Sequence, residues 1–187
     1  RNHREVFQKF LERARKAEVL PDDFKAEHDR ALLIPFGEVP RKKTYSIDYR
    51  LLAVGDAAGF VHPVTGEGLY AAICGAVIAA ETVKKALDKD DPKVLKEYEE
   101  RWWREFGVDM FVYGKKIAGT LYKSEFMMEM GIRVLMTDEE GARRLAYLIS
   151  HVDNNVCKRM YERISGLKLI PLALKSIRAP MRVEFEV

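Results

Sequence analysis

The chain is 187 residues long, 48% hydrophobic and 33% charged, the make-up of a globular protein with one good-sized domain or parts of two. Its formal net charge of +3, with no dense Lys/Arg block interleaved with aromatics, argues against a nucleic-acid partner. No run approaches the roughly 18 apolar residues of a transmembrane span, and Cys74 and Cys157 alone cannot build a disulfide framework.

Residues 3–17 carry Val6, Phe7, Phe10, Leu11 and Ala14 at helical spacing, broken by Pro21-Asp22-Asp23. Ala31-Leu32-Leu33-Ile34, closed by Pro35, is most simply a strand, and residues 37–43 are a polar turn region with Pro40. Tyr49–Val54 reads as a second strand, apolar on both faces toward its end, as in a strand buried within a sheet. A helix opening near Glu67 carries Leu69, Ile73, Val77, Ala80, Val83 and Leu87 as one stripe. Its other face holds Ala71, Ala72, Gly75, Ala76 and Ala79, small residues suited to close packing against a sheet or a cofactor, and Cys74 is expected there as a buried, reduced thiol.

Asp88–Asp91 ends that helix, and Asp91-Pro92 reads as the cap and first position of the next. Leu95, Tyr98, Trp102, Phe106 and Met110 keep helical register to about Val112, with Tyr98, Trp102, Trp103 and Phe106 expected in the core, and Gly114 and Gly119 punctuate. Further helices are expected at Tyr122–Met136, at Asp138–Ile149 after a Thr137 cap, at Asn154–Ile164, and at Leu167–Ile177 with a break near Pro171. Strand-like residues return at Met181–Val187. Gly166–Arg178 is apolar with interspersed bases; it reads as a core-packed terminal helix, with contact at a membrane surface as the alternative.

Chemistry concentrates between Leu51 and Gly68. An apolar strand runs into the Gly55-Asp56 turn, and a short loop then leads to Thr65-Gly66-Glu67-Gly68 at the start of the Ala-rich helix. Glycines let a backbone approach a flat cofactor closely, and a helix start offers unpaired N–H groups and the positive end of its dipole. The plainer reading of Asp56 is an aspartate capping its own turn. Gly66-x-Gly68-x-x-Ala71 mimics a dinucleotide fingerprint, but a loop precedes it and Asp88 lies at a helix end, so it is rejected as one. His62 reads as a solvated or structural loop histidine. His3, His28, His62 and His151 and the cysteines are too scattered for a metal site, and no residue stands out as catalytic.

Gly55-Asp56-Ala57-Ala58-Gly59, Pro63, Thr65-Gly66-Glu67-Gly68 and the small-residue helix through Cys74-Gly75 and Ala79-Ala80 closely resemble the second FAD-contacting segment of the geranylgeranyl reductase family. These are flavoproteins related in fold to p-hydroxybenzoate hydroxylase. The close match covers residues 47–82, with weaker similarity at Ile34–Gly37 and Tyr98–Trp103. The resemblance implies an α/β fold (α+β as an isolated fragment): the C-terminal part of an FAD-binding domain, followed by a mainly helical region. Residues 1–45 would end a substrate-domain or connecting segment, 46–90 would belong to the FAD-binding domain, and 91–187 would be the helical region. The nucleotide-binding fingerprint for the ADP half of FAD does not occur in this chain, which begins at Arg1 and need not begin where its gene does.

The resemblance further implies FAD contacts at Gly55, Asp56, Pro63, Thr65, Gly66, Gly68 and Leu69. Asp56 would accept from the ribityl hydroxyls, and the amides of the Thr65–Gly68 turn would face the pyrimidine edge of the ring. Glu67, in the first turn, is suited to complementing the helix dipole, and beside an anionic flavin it is expected to point away from the ring. The implied activity is reduction of C=C bonds in prenyl lipids, with an electron donor of unspecified class, in the cytoplasm or peripheral to the membrane. Scarce amides (Gln8, Asn2, Asn154 and Asn155 only), a tendency of hyperthermophile proteins, favour an archaeal lipid. The alternatives are a flavoprotein monooxygenase, a quinone-linked electron-transfer flavoprotein dehydrogenase, and a non-catalytic helical interaction domain.

Overall fold

The structure, a computed structural model, describes residues 3–21, 23–25, 34–35, 44–137, 139–150, 155–164 and 174. Contacts divide the molecule into two units, Arg1–Leu33 and Ile34–Val187. In the first, α1 (His3–Lys16) follows the predicted spacing, and the Phe7 and Phe10 rings stack with centroids 6.3 Å apart. The backbone then turns at Glu18, and the Arg15 guanidinium donates to the Phe24 carbonyl at 2.9 Å.

In the second unit, β1 (Tyr45–Ser46) and β2 (Leu51–Leu52) form an antiparallel hairpin with Tyr45 opposite Leu52. This corrects the expected buried strand over Tyr49–Val54. Tyr49 and Arg50 belong to the turn, Arg50 in the left-handed region, so only two residues remain to pair, and Leu51 is exposed. The proposed strand at Ala31–Leu33, the turn region at residues 37–43 and the strand-like Met181–Val187 lie outside the described residues, as does the Leu167–Ile177 helix except for Leu174, which is helical and exposed, whereas Ile34 and Pro35 are described without strand structure. Among the described residues the architecture is therefore mainly helical with one small hairpin; the sheet expected of an α/β domain is not part of it.

Helix α2 (Leu69–Asp88) buries Ala71, Gly75 and Ala79 of its expected small face, together with Ile78, Thr82 and Ala86, while Ala72 is half-buried and Ala76 is exposed, one position round from the buried side. That face packs mainly on helical segments and the Gly55–Ala58 turn, with Leu52 of β2 against the same core. A Cβ on Gly75 would lie 2.8 Å from the Phe60 ring, so the missing side chain is what admits Phe60 to the core. The large stripe is turned outward: Leu69 is 70% exposed and Leu87 75%, with Ile73, Val77 and Val83 also exposed. Cys74 is half-buried, less than expected.

Asp91 caps the next segment as predicted, accepting from the Lys93 amide at 2.9 Å with Pro92 at the first position. From there the backbone stays helical to Leu121 through four windings: a 3-10 turn (Pro92–Lys96), α3 (Glu97–Trp102), a π-helix (Trp103–Gly114) and α4 (Lys115–Leu121). Gly114 and Gly119 therefore do not break it. Tyr98, Trp102, Phe106, Met110 and Phe111 join Phe60 and the small face of α2 in one aromatic core, as expected of that cluster.

The Tyr98 hydroxyl donates to the Ala53 carbonyl at 3.0 Å, tying the segment after β2 to α3. Burial pushes this phenol above its ordinary range. The folded state thus keeps a proton that an unfolded polypeptide releases near about pH 10, so the contribution is intact below about pH 10 and lost as the pH rises further. Tyr98→Phe is expected to lower stability by about 1 kcal/mol at neutral pH, with a shallower alkaline decline than the parent in urea titrations.

Three further helices follow among the described residues: α5 (Glu125–Thr137), α6 (Glu139–Ser150) and α7 (Val156–Ile164), each within three residues of its expected start. Ser124 caps α5, its hydroxyl accepting from the Met127 amide at 3.1 Å. Asp138 and the Thr137 side chain, on which the expected α6 cap rests, lie outside the described residues. No helix among the described residues is long and apolar enough to cross a membrane.

Candidate functional site

After β2 the backbone enters a 3-10 turn, Gly55–Ala58, that requires a positive φ of 55° at its first residue. Glycine meets that requirement without strain. A Cβ on Gly55 would sit 3.4 Å from the Ala72 Cβ, so the turn lies against the first turns of α2. Backbone bonds close it, Gly59 N–H to the Asp56 carbonyl at 2.9 Å and Phe60 N–H to the Gly55 carbonyl at 3.0 Å. The Asp56 side chain takes no part in this: it is exposed, and among the described residues its carboxylate has no hydrogen-bond partner. The turn-capping reading of Asp56 therefore fails.

Phe60, Val61 and His62 are buried, and the loop from Pro63 to Gly68 then doubles back onto itself. His62 N–H donates to the Glu67 carbonyl at 2.6 Å, and Gly66 N–H to the His62 carbonyl at 2.8 Å. Gly66 has φ 74°, left-handed, which only glycine adopts readily. Thr65 Oγ1 accepts from the Glu67 amide at 3.3 Å. Pro63 is buried on the side facing the π-helix, where a Cβ on Gly114 would lie 3.2 Å from its ring. Leu69 is exposed at the start of α2.

The structure brings the two glycine turns together. A Cβ on Gly68 would lie 3.4 Å from Asp56 Oδ1 and 2.9 Å from the Phe60 carbonyl oxygen. Asp56 and the Gly66–Gly68 bend thus share one surface, and any side chain at Gly68 would fill the space between them. The helix start is less open than the sequence suggests. The Glu67 carboxylate turns in over it, accepting from the Leu69 amide and, at 3.2 Å, from the Tyr70 amide. It complements the helix dipole, as its place in the first turn suggests, and it occupies donors that an anion would use.

The far side of the loop holds residues that sequence reading missed. His62 Nε2 lies 3.2 Å from Cys157 Sγ in α7, and Nδ1 accepts from the Val64 and Thr65 amides at 3.1 and 3.3 Å. The Asp109 carboxylate accepts from the Cys157 and Lys158 amides at 3.0 and 2.8 Å, capping the start of α7. Burial raises the Asp109 carboxyl above its ordinary range, and the two amides oppose that shift. The Tyr122 hydroxyl donates to the Val64 carbonyl. His62 is thus a buried structural residue, not a solvated one, and no local signal marks Cys157, 95 positions away, as its neighbour.

No family model and no solved structure matches the sequence. Among curated proteins, conditioned medium factor receptor 1 of Dictyostelium discoideum is 33% identical over 107 residues, 56% of this chain and 20% of that protein. A digeranylgeranylglycerophospholipid reductase of Methanocaldococcus jannaschii is 48% identical over 65 residues, 34% of this chain and 16% of the relative. Digeranylgeranylglycerophospholipid reductase 2 of Methanopyrus kandleri is 35% identical over 108 residues, 57% of this chain and 26% of the relative. The matched region thus spans no more than about a quarter of the length of these relatives.

Proposed function

From the resemblance of this protein to the geranylgeranyl reductase family, borne out by reductases of that family at 35–48% identity over partial segments, we propose that it forms one wall of the flavin site in an FAD-dependent reductase acting on the C=C bonds of prenyl groups. One observation carries the reading: an exposed carboxylate, Asp56, without a partner among the described residues, set against side-chain-free Gly68 at the start of α2. That surface would suit a polyol beside the carboxylate and a flat ring over the glycine. Gly55, Asp56, Thr65, Gly66, Gly68 and Leu69 would line it, with Pro63 supporting the loop from behind. The substrate is a prenyl lipid, an archaeal membrane lipid by the amide-poor composition, and the protein works in the cytoplasm with a separate electron donor.

Reduced FAD held there would supply hydride chemistry for an alkene whose other carbon takes a proton. The protein's own part is to hold and polarise. Asp56 accepts the hydroxyl hydrogen bonds, and the helix start stabilises negative charge with about half a positive charge of dipole. The Glu67 carboxylate is the one group that does not fit, and it must swing off the helix start. Glu67→Gln, which removes that charge, is therefore expected to raise the reduction potential of bound flavin, a stabilisation of the reduced form by about 1 kcal/mol, measured by dye-linked reduction.

The test of the reading is anaerobic. The intact gene product is loaded with FAD, reduced and mixed with prenyl lipid; reoxidation without oxygen and a saturated prenyl group are expected. Oxygen-dependent reoxidation with a hydroxylated product would install the monooxygenase reading. A second reading, a helical interaction module without redox chemistry, draws on the Dictyostelium relative, whose name is that of a receptor. Failure of the intact protein to retain flavin would favour it.

A further inference from the structure

We propose that His62 is the positioning residue of the candidate cofactor loop, and that Cys157 and Asp109 fix it from the opposite side of the fold. All four of its polar groups are committed. Its N–H and C=O bond to Glu67 and Gly66, its Nδ1 takes two loop amides, and its Nε2 faces Cys157. Backbone amides can only donate, so Nδ1 must be the acceptor and the neutral ring must carry its proton on Nε2, aimed at the sulfur. The tautomer thus follows from geometry.

Cys157 stands where it does because Asp109 holds the first amides of α7. Burial first, and then the Asp109 carboxylate, push the thiol up, so the sulfur meets His62 as a neutral group. Arg159 is the cation whose charge acts on Asp109. Gly114 makes the contact possible, since a Cβ there would lie 3.5 Å from both Nε2 and Sγ and 3.2 Å from Pro63. A π-helix residue and the start of α7 therefore set the bend that carries Gly66 and Gly68. The link to flavin rests on the function proposed above; the link to the loop does not.

Two measurements separate those links. Long-range proton–nitrogen NMR on the full-length polypeptide at neutral pH is expected to find His62 with a bare Nδ1 and a protonated Nε2. Cys157→Val is expected to speed hydrogen exchange at the Val64 and Thr65 amides about five- to tenfold and to weaken FAD binding by the intact gene product by a similar factor. Cys157→Ser, which keeps an acceptor at that place, is expected to restore both to within about twofold. A proton on Nδ1 in the wild-type protein would overturn the proposal even if the valine variant failed to fold. So would unchanged exchange at Val64 and Thr65 in a folded Cys157→Val. If wild type binds no FAD while the NMR and exchange results hold, the flavin reading falls and the positioning of the loop stands.

Discussion

Trp102→Ala is expected to cost about 3–5 kcal/mol of folding stability, more than any other single truncation in the aromatic core. The side chain is fully buried, with the rings of Phe60, Trp103, Phe106 and Phe111 at centroid distances of 4.9, 5.6, 5.7 and 6.2 Å. Its indole N–H donates to Thr44 Oγ1 at 3.0 Å, and Thr44 is itself buried. Alanine would leave a cavity among the aromatics and strip that hydroxyl of its donor. The Thr44 carbonyl also receives the Ala53 amide at 2.8 Å, so the base of the hairpin would loosen with it. Since a domain's whole stability is about 5–15 kcal/mol, the variant should be largely unfolded at modest urea concentrations, followed by circular dichroism. A loss below about 1 kcal/mol would mean that the indole does not fill this core.

Asp56→Ala should behave in the opposite way, leaving stability nearly untouched while weakening FAD binding by the intact gene product about ten- to a hundredfold. Its carboxylate is exposed and bonds to nothing among the described residues, so the fold loses little without it. A hydrogen bond to a charged group is worth about 1.5–3 kcal/mol, which sets the size of the expected loss of affinity. Titration followed by flavin fluorescence, beside a melting curve, separates the two effects. Wild-type flavin affinity in the variant would remove Asp56 from the site; a large drop in melting temperature would return it to a structural role.

Local rules carried much of this fold. The Asp91-Pro92 start and the aromatic cluster depend on neighbours in sequence, and both stand as expected. The π-helix has a signature in the sequence. Tyr98, Trp102, Phe106, Met110 and Gly114 recur every four residues and are all buried. An α-helix turns about 40° past a full turn with each such step and would carry the later ones off the core. The wider winding from Trp103 onward compensates. The glycines misled for a related reason. Gly114 looked like punctuation, whereas it sits mid-helix because His62, Pro63 and Cys157 crowd it.

At the candidate site, the family resemblance implied that Asp56 and the Gly66–Gly68 turn face one ligand, and Asp56 and Gly68 do lie side by side. The Cys157 contact was not legible, because it depends on how segments 95 positions apart settle in three dimensions. The hairpin was over-read as a buried strand because hydrophobicity alone does not say how many partners a strand finds.

Helix α2 turns Leu69, Ile73, Val77, Val83 and Leu87 outward, and the consequence is colloidal. The ridge from Leu69 to Leu87 runs for roughly 30 Å at 1.5 Å per residue, and a net charge of +3 offers it little repulsion. The ceiling on concentration is then set by grease more than by charge. Sulfate and warming would bring the protein out of solution, and mild chaotropes would keep it dispersed.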